Sequence, residues 1–178
     1  MIHRHIQETE TLMKDMLREE YYTLDPTMVV LSTDYQTAGR GQHDHKWESA
    51  RGKNLILGFI VHPTAYSARD QKQISDIVAE VVGKTMDYWL AEKGLCTWMK
   101  QPNDIYVGKQ KLAGLLIEHD VAGGRILTTR IGLGININQE VFLSDAPNPC
   151  SLHTLLGHPV SREEVLARLI KYMEEAFA

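Results

Sequence analysis

The order of apolar patterns along the 178-residue chain predicts an α+β fold built on a mixed or mostly antiparallel sheet backed by helices. Three observations carry this. Two β-branched, apolar runs, residues 27–33 and 54–61, read as buried strands. Between residues 67 and 93 a stripe of Ile74, Ile77, Val78, Val81, Val82, Met86 and Trp89 reads as one long helix. Several short strands then follow one another with glycine turns between them, instead of the strand and helix alternation that a parallel sheet requires.

In chain order, residues 8–21 place Leu12, Met13, Met16 and Leu17 at helical spacing and predict a first helix ending near Tyr22, before a break at Asp25-Pro26. Residues 36–53 turn polar, glycine-bearing and basic, which predicts a long loop, and His62-Pro63 stops the second strand. Gly94 fits the carboxyl-terminal cap of the long helix. Strands at 97–100, 105–107, 112–119 and 125–132, with turns at Gly108-Lys109-Gln110 and Gly123-Gly124, predict an antiparallel meander. Residues 145–149 make an irregular connection, 151–156 a short turn of helix, and Ser161-Arg-Glu-Glu164 a capping box that opens a final helix to about Phe177.

Composition narrows the function classes. At 43% hydrophobic and 24% charged residues the chain fits one globular domain, and no apolar run approaches the ~20 residues of a membrane span. The first residues lack the apolar core of a secretory signal, so a cytoplasmic location without membrane association is expected. Cys96 and Cys150 are far apart and outside any CxxC pair, which predicts buried apolar roles for both and neither a disulfide nor a metal site. A net charge of −4 argues against nucleic acid as partner, because binders of phosphate backbones concentrate positive charge.

Three segments carry candidate chemistry. In Gln36-Thr-Ala-Gly39-Arg40-Gly41-Gln42, running on to Trp47, two glycines free the backbone to approach an anion while a guanidinium supplies paired donors. A plain surface loop explains this segment as well, and its spacing matches neither a Rossmann fingerprint nor a P-loop. In Lys100-Gln-Pro-Asn103-Asp104, followed by Lys111-Leu-Ala-Gly114 and ending at Glu118, two lysines on neighbouring extended pieces reach toward one anionic ligand. Asp104 is placed to orient a lysine, and Gly114 lets a ligand lie against the strand; a solvated turn is the alternative. In Gly132-Leu-Gly134-Ile-Asn136-Ile-Asn138, an amide on an apolar strand calls for a ligand or loop partner, or marks a bulge.

Taken together, and in this order, these segments resemble the catalytic domain of biotin protein ligases, over roughly residues 5–170. The resemblance implies a mixed sheet backed by helices, related to class II aminoacyl-tRNA synthetases, forming a single catalytic domain over residues 1–178. No amino-terminal DNA-binding domain, repressor role or carboxyl-terminal β-barrel is expected. It implies ATP and biotin as substrates with Mg2+, and biotinyl-5′-adenylate as intermediate. The partner is a lysine on a biotin carboxyl carrier protein, and homodimers are conceivable. Lys111 matches the lysine that contacts the biotin carboxyl and the adenylate, Arg40 and Gly41 the ligand-ordered loop, Gln36 and Gly114 the biotin site. Gly39 belongs to the same loop motif, Trp47 packs near the adenylate, and Asn136 lies near the phosphates. Lys100, Asn103 and Asp104 form the second basic segment, with Asp104 holding or deprotonating the incoming lysine. A lipoate or octanoyl-type acyltransferase, or a non-catalytic ligand-binding relative, is the alternative.

The chain departs from the family pattern at three places. Glu8-Thr9-Glu10 stands where the family reads Ser-Thr-Asn, leaving Thr9 as the matching substrate-binding residue and two carboxylates expected to alter the pocket. Gln42 replaces a second arginine at the phosphate, with Lys46, His43 or His45 as possible compensation; a His43-x-His45 metal pair lacks a third ligand. Gln101 replaces a tryptophan and removes apolar surface.

Overall fold

The computed structural model describes residues 1–21, 28–42, 45–144 and 148–178. Among these, the strands β1 (Ile2–Thr9), β2 (Val29–Gln36), β3 (Leu55–Val61), β4 (Thr97–Lys100), β5 (Asp104–Val107), β6 (Gln110–Ala122) and β7 (Arg125–Ile135) form one sheet in the order β1-β2-β3-β7-β6-β5-β4. β1 and β2 run parallel, and every other neighbouring pair is antiparallel. The expected mixed sheet and meander are both present. Helices α1 (Leu12–Asp15), α2 (Gln71–Leu90), α3 (Leu152–Leu156) and α4 (Arg162–Ala176) complete the fold. No helix among the described residues is long and apolar enough to cross a membrane.

The continuous apolar run of β3 follows from its having both faces covered. Leu55, Leu57, Phe59 and Val61 join the larger core with Val78, Val82 and Met86 of α2 and Leu169 and Met173 of α4. Ile56 and Ile60 face the other way, into a smaller core with Leu12, Met13 and Met16. That second face holds the functional cavity, so α1 roofs one part of the sheet and leaves the next part open to ligand.

α2 begins after a capping box in which Ser67 N donates to the Asp70 carboxylate at 2.7 Å, and its last turn ends at Gly94 with φ 64°, the left-handed cap expected from the sequence. At α4 the box is half made. Ser161 Oγ accepts from Glu164 N at 3.2 Å, but the hydroxyl then donates to Glu163 at 3.1 Å, and no return bond from Glu164 closes the motif.

The amino-terminal reading needs correction. Residues 2–9 form β1, and helical structure is limited to α1 and a 3-10 turn at Glu19–Tyr21. The carbonyls of Thr9 and Glu10 accept bonds from Thr37 N and Ala38 N at 2.9 Å each, which commits this backbone to the sheet and keeps a helix from starting earlier. Tyr22, the Asp25-Pro26 break, Thr27, His43, Asp44 and residues 145–147 of the 145–149 connection lie outside the described residues. Cys150 is buried, and burial pushes its thiol up to about 12, but Cys96 is exposed in the short link between Gly94 and β4.

On the helix-side flank of β1 and β2, His3 Nε2 and His5 Nδ1 lie 2.9 and 3.1 Å from Ser32 Oγ, and His5 Nε2 lies 3.5 Å from Asp34. Burial, and then the neighbouring His5, hold the His3 pKa below the usual 6.5. Below the ordinary value the unfolded chain takes up a proton that folded His3 resists, so this contribution to stability is present above about pH 6.5 and lost as pH falls toward the lowered folded value. Thermal melts between pH 7.5 and 5.5 should show a larger acid loss for the wild type than for His3→Gln; equal losses would remove His3 from the explanation.

Candidate active site

The segment that leaves β2 folds back on itself. Arg40 and Lys46 are antiparallel bridge partners, Trp47 N donates to Gly39 O at 2.9 Å, and Gly41 N donates to His45 O at 2.6 Å. This makes a small hairpin flap rather than an open loop. Gln36 anchors its base by accepting Leu12 N at 2.8 Å, which fixes the start of α1 against the end of β2. Gly39 is buried beneath the flap, where an added Cβ would meet Trp47 O at 2.8 Å and Gln36 Nε2 at 2.9 Å.

Trp47 lies on bare backbone. Gly114 and Gly134 are cross-strand partners on β6 and β7, and an added Cβ on either would run into the indole, at 2.9 Å for Gly114. One step along the same face, Gly58 and Gly132 are also partners and make room for Met16 and Met13. The Gly-x-Gly spacing therefore has a direct cause: residues two apart on a strand share a face, and this face must stay bare for the side chains laid across it. The indole N–H of Trp47 is buried with no acceptor among the described residues, an arrangement that costs about 1–3 kcal/mol until something accepts from it.

A bulge aims the key lysine. Ile105 pairs with Ala113 but Tyr106 pairs with Lys111, so Leu112 is an extra residue in β6. Leu112 and Ala113 both enter the larger core, and Lys111 is thereby turned onto the opposite face beside Gly114. Its ammonium sits 2.7 Å from Asp104 Oδ1 and 5.6 Å from the centre of the Trp47 ring. Asp104 is itself the register partner of Gly114. Asn103 secures the turn before it, since Asn103 Nδ2 donates to Leu115 O and Leu115 N donates to Asn103 O, both at 2.8 Å.

These pieces enclose a cavity of about 310 Å³, at the small end of the range typical of ligand sites. Gln36, Arg40, Gly41, Gln42, Trp47, Asn103, Asp104, Lys111 and Gly114 all line it. Leu12, Met13, Ile56, Leu115, Leu116 and Leu133 supply an apolar lining, and among the described residues Arg40, Lys46 and Lys111 bring three cations against the single carboxylate of Asp104. The chemistry that fits is an apolar body with an anionic end. Among the described residues no group of three or more His, Cys, Asp or Glu side chains is placed to hold a metal ion.

Four expected site residues lie elsewhere. Lys100 stands on the edge strand with its ammonium 5.0 Å from the centre of the Tyr106 ring, outside the cavity lining. Thr9 Oγ1 donates to the buried Asp15 carboxylate at 2.5 Å, which Arg18 also pairs at 2.7 Å, so it braces α1 from β1. Gly39 supports the flap and borders a second, outer groove of about 840 Å³. Asn136 donates from Nδ2 to Cys150 O at 3.0 Å, the loop partner its burial demands.

Two of the three departures lie outside the cavity, whereas Gln42 is part of its lining. Glu8 pairs with Arg51, which also stacks 4.4 Å from the Tyr35 ring centre, and Glu10 pairs with Lys14 at 2.7 Å; both carboxylates are exposed and outside the cavity lining. The expected disturbance of the cavity by Glu8 and Glu10 is thus absent, because Glu8 on β1 and Glu10 just beyond its end are turned to the cations Arg51 and Lys14. Thr11 lines the cavity instead. Gln101 reaches Asp76 of α2 at 3.5 Å, outside the cavity lining. Thr11, Leu12, Met13 and Gly134 are lining residues that sequence reasoning did not single out as site residues.

A family model for biotin/lipoate A/B protein ligases matches residues 3–136, three quarters of the chain and every segment of the cavity. The chain belongs to the biotin/lipoate A/B protein ligase family. Within that family it is 28% identical over 157 residues to the bifunctional ligase/repressor BirA of Bacillus spizizenii, covering 85% of this chain and 46% of that protein. It is also 28% identical over 169 residues to the biotin--[acetyl-CoA-carboxylase] ligase of Mycobacterium tuberculosis, covering 95% and 61%. The chain therefore spans about half the length of the curated relatives it matches first. Biotin protein ligase from Aquifex aeolicus, solved in complex with biotin and ATP, superposes with a TM-score of 0.80 at 22% identity, over 99% of this chain and 70% of that one. The Leishmania major enzyme with biotinyl-5-AMP gives 0.79 at 20%, over 97% and 73%. These likenesses establish the α+β fold.

Proposed function

We propose that this chain joins biotin to ATP and passes the biotinyl group to a lysine of a biotin carboxyl carrier protein. The observation that carries the reading is convergence: Arg40 on the flap and Lys111 on β6 border one cavity whose remaining lining is mostly apolar. Its relatives and structural neighbours, a biotin--[acetyl-CoA-carboxylase] ligase and complexes holding biotin, ATP and biotinyl-5-AMP, suggest the substrates that such a cavity suits.

In the first step a carboxylate oxygen of biotin attacks the α-phosphorus of ATP, the bond from that phosphorus to the bridging oxygen breaks, and pyrophosphate leaves. Two anions are brought together, so held cations lower the barrier by being in place before reaction. Lys111, fixed by Asp104 and by the bulge, lies between the carboxylate and the α-phosphate; Arg40 takes the phosphates from the flap side. In the second step the lysine amine attacks the acyl carbon, AMP departs with the oxygen, and the ammonium proton is given up. Asp104, the one carboxylate on the lining among the described residues, holds the incoming lysine. Magnesium would enter on the nucleotide phosphates and neutralise part of their charge.

The test is pyrophosphate release from ATP and magnesium with either biotin or lipoate, with and without the carrier domain. Release that depends on biotin is expected. Dependence on lipoate would move the chain to the other branch of its family, and silence with both acids would leave a binding protein without chemistry.

A further inference from the structure

We infer that Met13, laid across Gly132, is the end stop that sets how long an acid the cavity accepts, a proposal that rests on the adenylation reading above. Two cross-strand rows floor this face of the sheet. Gly114, Gly134 and Ile56 make the first row, under Trp47 and beside Lys111. Leu116, Gly132 and Gly58 make the second, two residues along each strand, and carry Met13 and Met16. Two residues of strand span about 7 Å, so the backbone fixes the distance between the rows. The cavity is bordered by the whole first row and by Leu116 and Gly132 of the second, and Gly58 lies beyond its lining.

The second row is closed by side chains rather than by backbone. An added Cβ on Gly132 would meet Met13 Sδ at 2.8 Å, and one on Gly58 would meet Met16 Sδ at 2.9 Å. Both thioethers thus lie on bare strand, and the bare floor continues beneath them past the present end of the cavity. An acid with its carboxylate at Lys111 extends away from the cations along this floor and meets Met13. The helix that carries Met13 is held by other groups: Leu12 N donates to Gln36, while Thr9 and Arg18 hold Asp15. A shortened side chain at 13 therefore leaves a void into which α1 cannot settle, and that void opens on the cavity. The same contact can be tightened from below. Gly132 is outside the left-handed region, so alanine suits its backbone, and the new methyl would lift Met13 toward the ligand.

Acid-dependent exchange between ATP and pyrophosphate tests this with biotin and with the biotin homologue whose valeryl chain carries one more methylene, for wild type, Met13→Ala and Gly132→Ala. One methylene too many in a closed apolar pocket costs about tenfold or more in kcat/KM, so the wild type should prefer biotin by at least that factor. Met13→Ala should erase the preference by lowering the KM for the longer acid. Gly132→Ala, which keeps Met13 and raises it, should widen the preference by about a further tenfold. KM for ATP should stay within about twofold throughout, a split that general damage to the fold does not produce. A wild type indifferent to chain length would overturn the proposal, as would Met13→Ala with the wild-type ratio between the two acids. Equal losses for both acids in Gly132→Ala would overturn it as well, and that variant decides the matter alone if Met13→Ala does not fold. Failure of the wild type to show any biotin-dependent exchange is a different result: it removes the adenylation reading, and this inference with it.

Discussion

Lys111→Ala is expected to lower kcat/KM for adenylate formation by about 10²–10³-fold, the usual cost of removing one preorganised cation or donor from a developing charge. The thermal midpoint should hardly move. The ammonium and its partner Asp104 are 20% and 23% exposed, so the ion pair is partly solvated and contributes little to folding. The backbone of Lys111 is held independently of its side chain, by Lys111 N donating to Asn148 O at 2.8 Å and Cys150 N donating to Lys111 O at 2.9 Å. Pyrophosphate-release kinetics alongside calorimetric melts separate the two roles. A large loss of stability with a proportionate loss of activity would make Lys111 a structural residue.

The second large effect is expected at Gly134. A Cβ there would lie 2.5 Å from Trp47 Nε1 and 2.7 Å from Cζ2, so Gly134→Val drives the indole off its seat and raises the floor of the cavity. Biotin affinity should fall by about 100-fold or more, since a displaced anchor and a filled floor act together. Stability should drop by about 1–3 kcal/mol from overpacking, even though valine itself favours an extended strand. The cause can be isolated with a cycle. If the clash is with Trp47, adding Trp47→Ala to Gly134→Val recovers part of the lost stability, whereas additive losses would place the strain elsewhere.

Much of the fold was legible because its strands and long helix bury faces with unmistakable periods. β3, β4 and α2 fall within a few residues of their sequence-based bounds, and Gly94 marks the end of the α2 segment as its αL geometry requires. β1 was not legible. Its residues, Ile2-His-Arg-His-Ile-Gln-Glu-Thr, are mostly exposed on an edge strand, so burial imposed no alternation on them. Missing β1 also misplaced α1, which then concealed Thr11, Leu12 and Met13 as cavity lining.

The site shows the same limit at finer scale. Residue types named the chemistry, and the glycines of β6 and β7 announced a close approach, although the structure shows the approaching group to be Trp47. Which way a lysine points depends on register, and the extra Leu112 that turns Lys111 into the cavity leaves no mark in composition or spacing. Lys100, two strands away on β4 and without such a bulge to aim it, rests on Tyr106 of the intervening β5 instead. Carboxylates at 8 and 10 looked disruptive because a motif comparison assigns positions but not side-chain directions; Arg51 and Lys14 show where they go.

The claim on which the functional reading depends is that one cavity receives both the biotin carboxyl and the nucleotide phosphate between the flap and β6. A crystal structure with a non-hydrolysable biotinyl-5′-adenylate analogue measures this directly. Lys111 Nζ within hydrogen-bond distance of the acyl-phosphate linkage, with Arg40 closing on the phosphate from the flap, is the predicted result. An analogue bound elsewhere on the molecule, or bound with its phosphate away from both side chains, would contradict it.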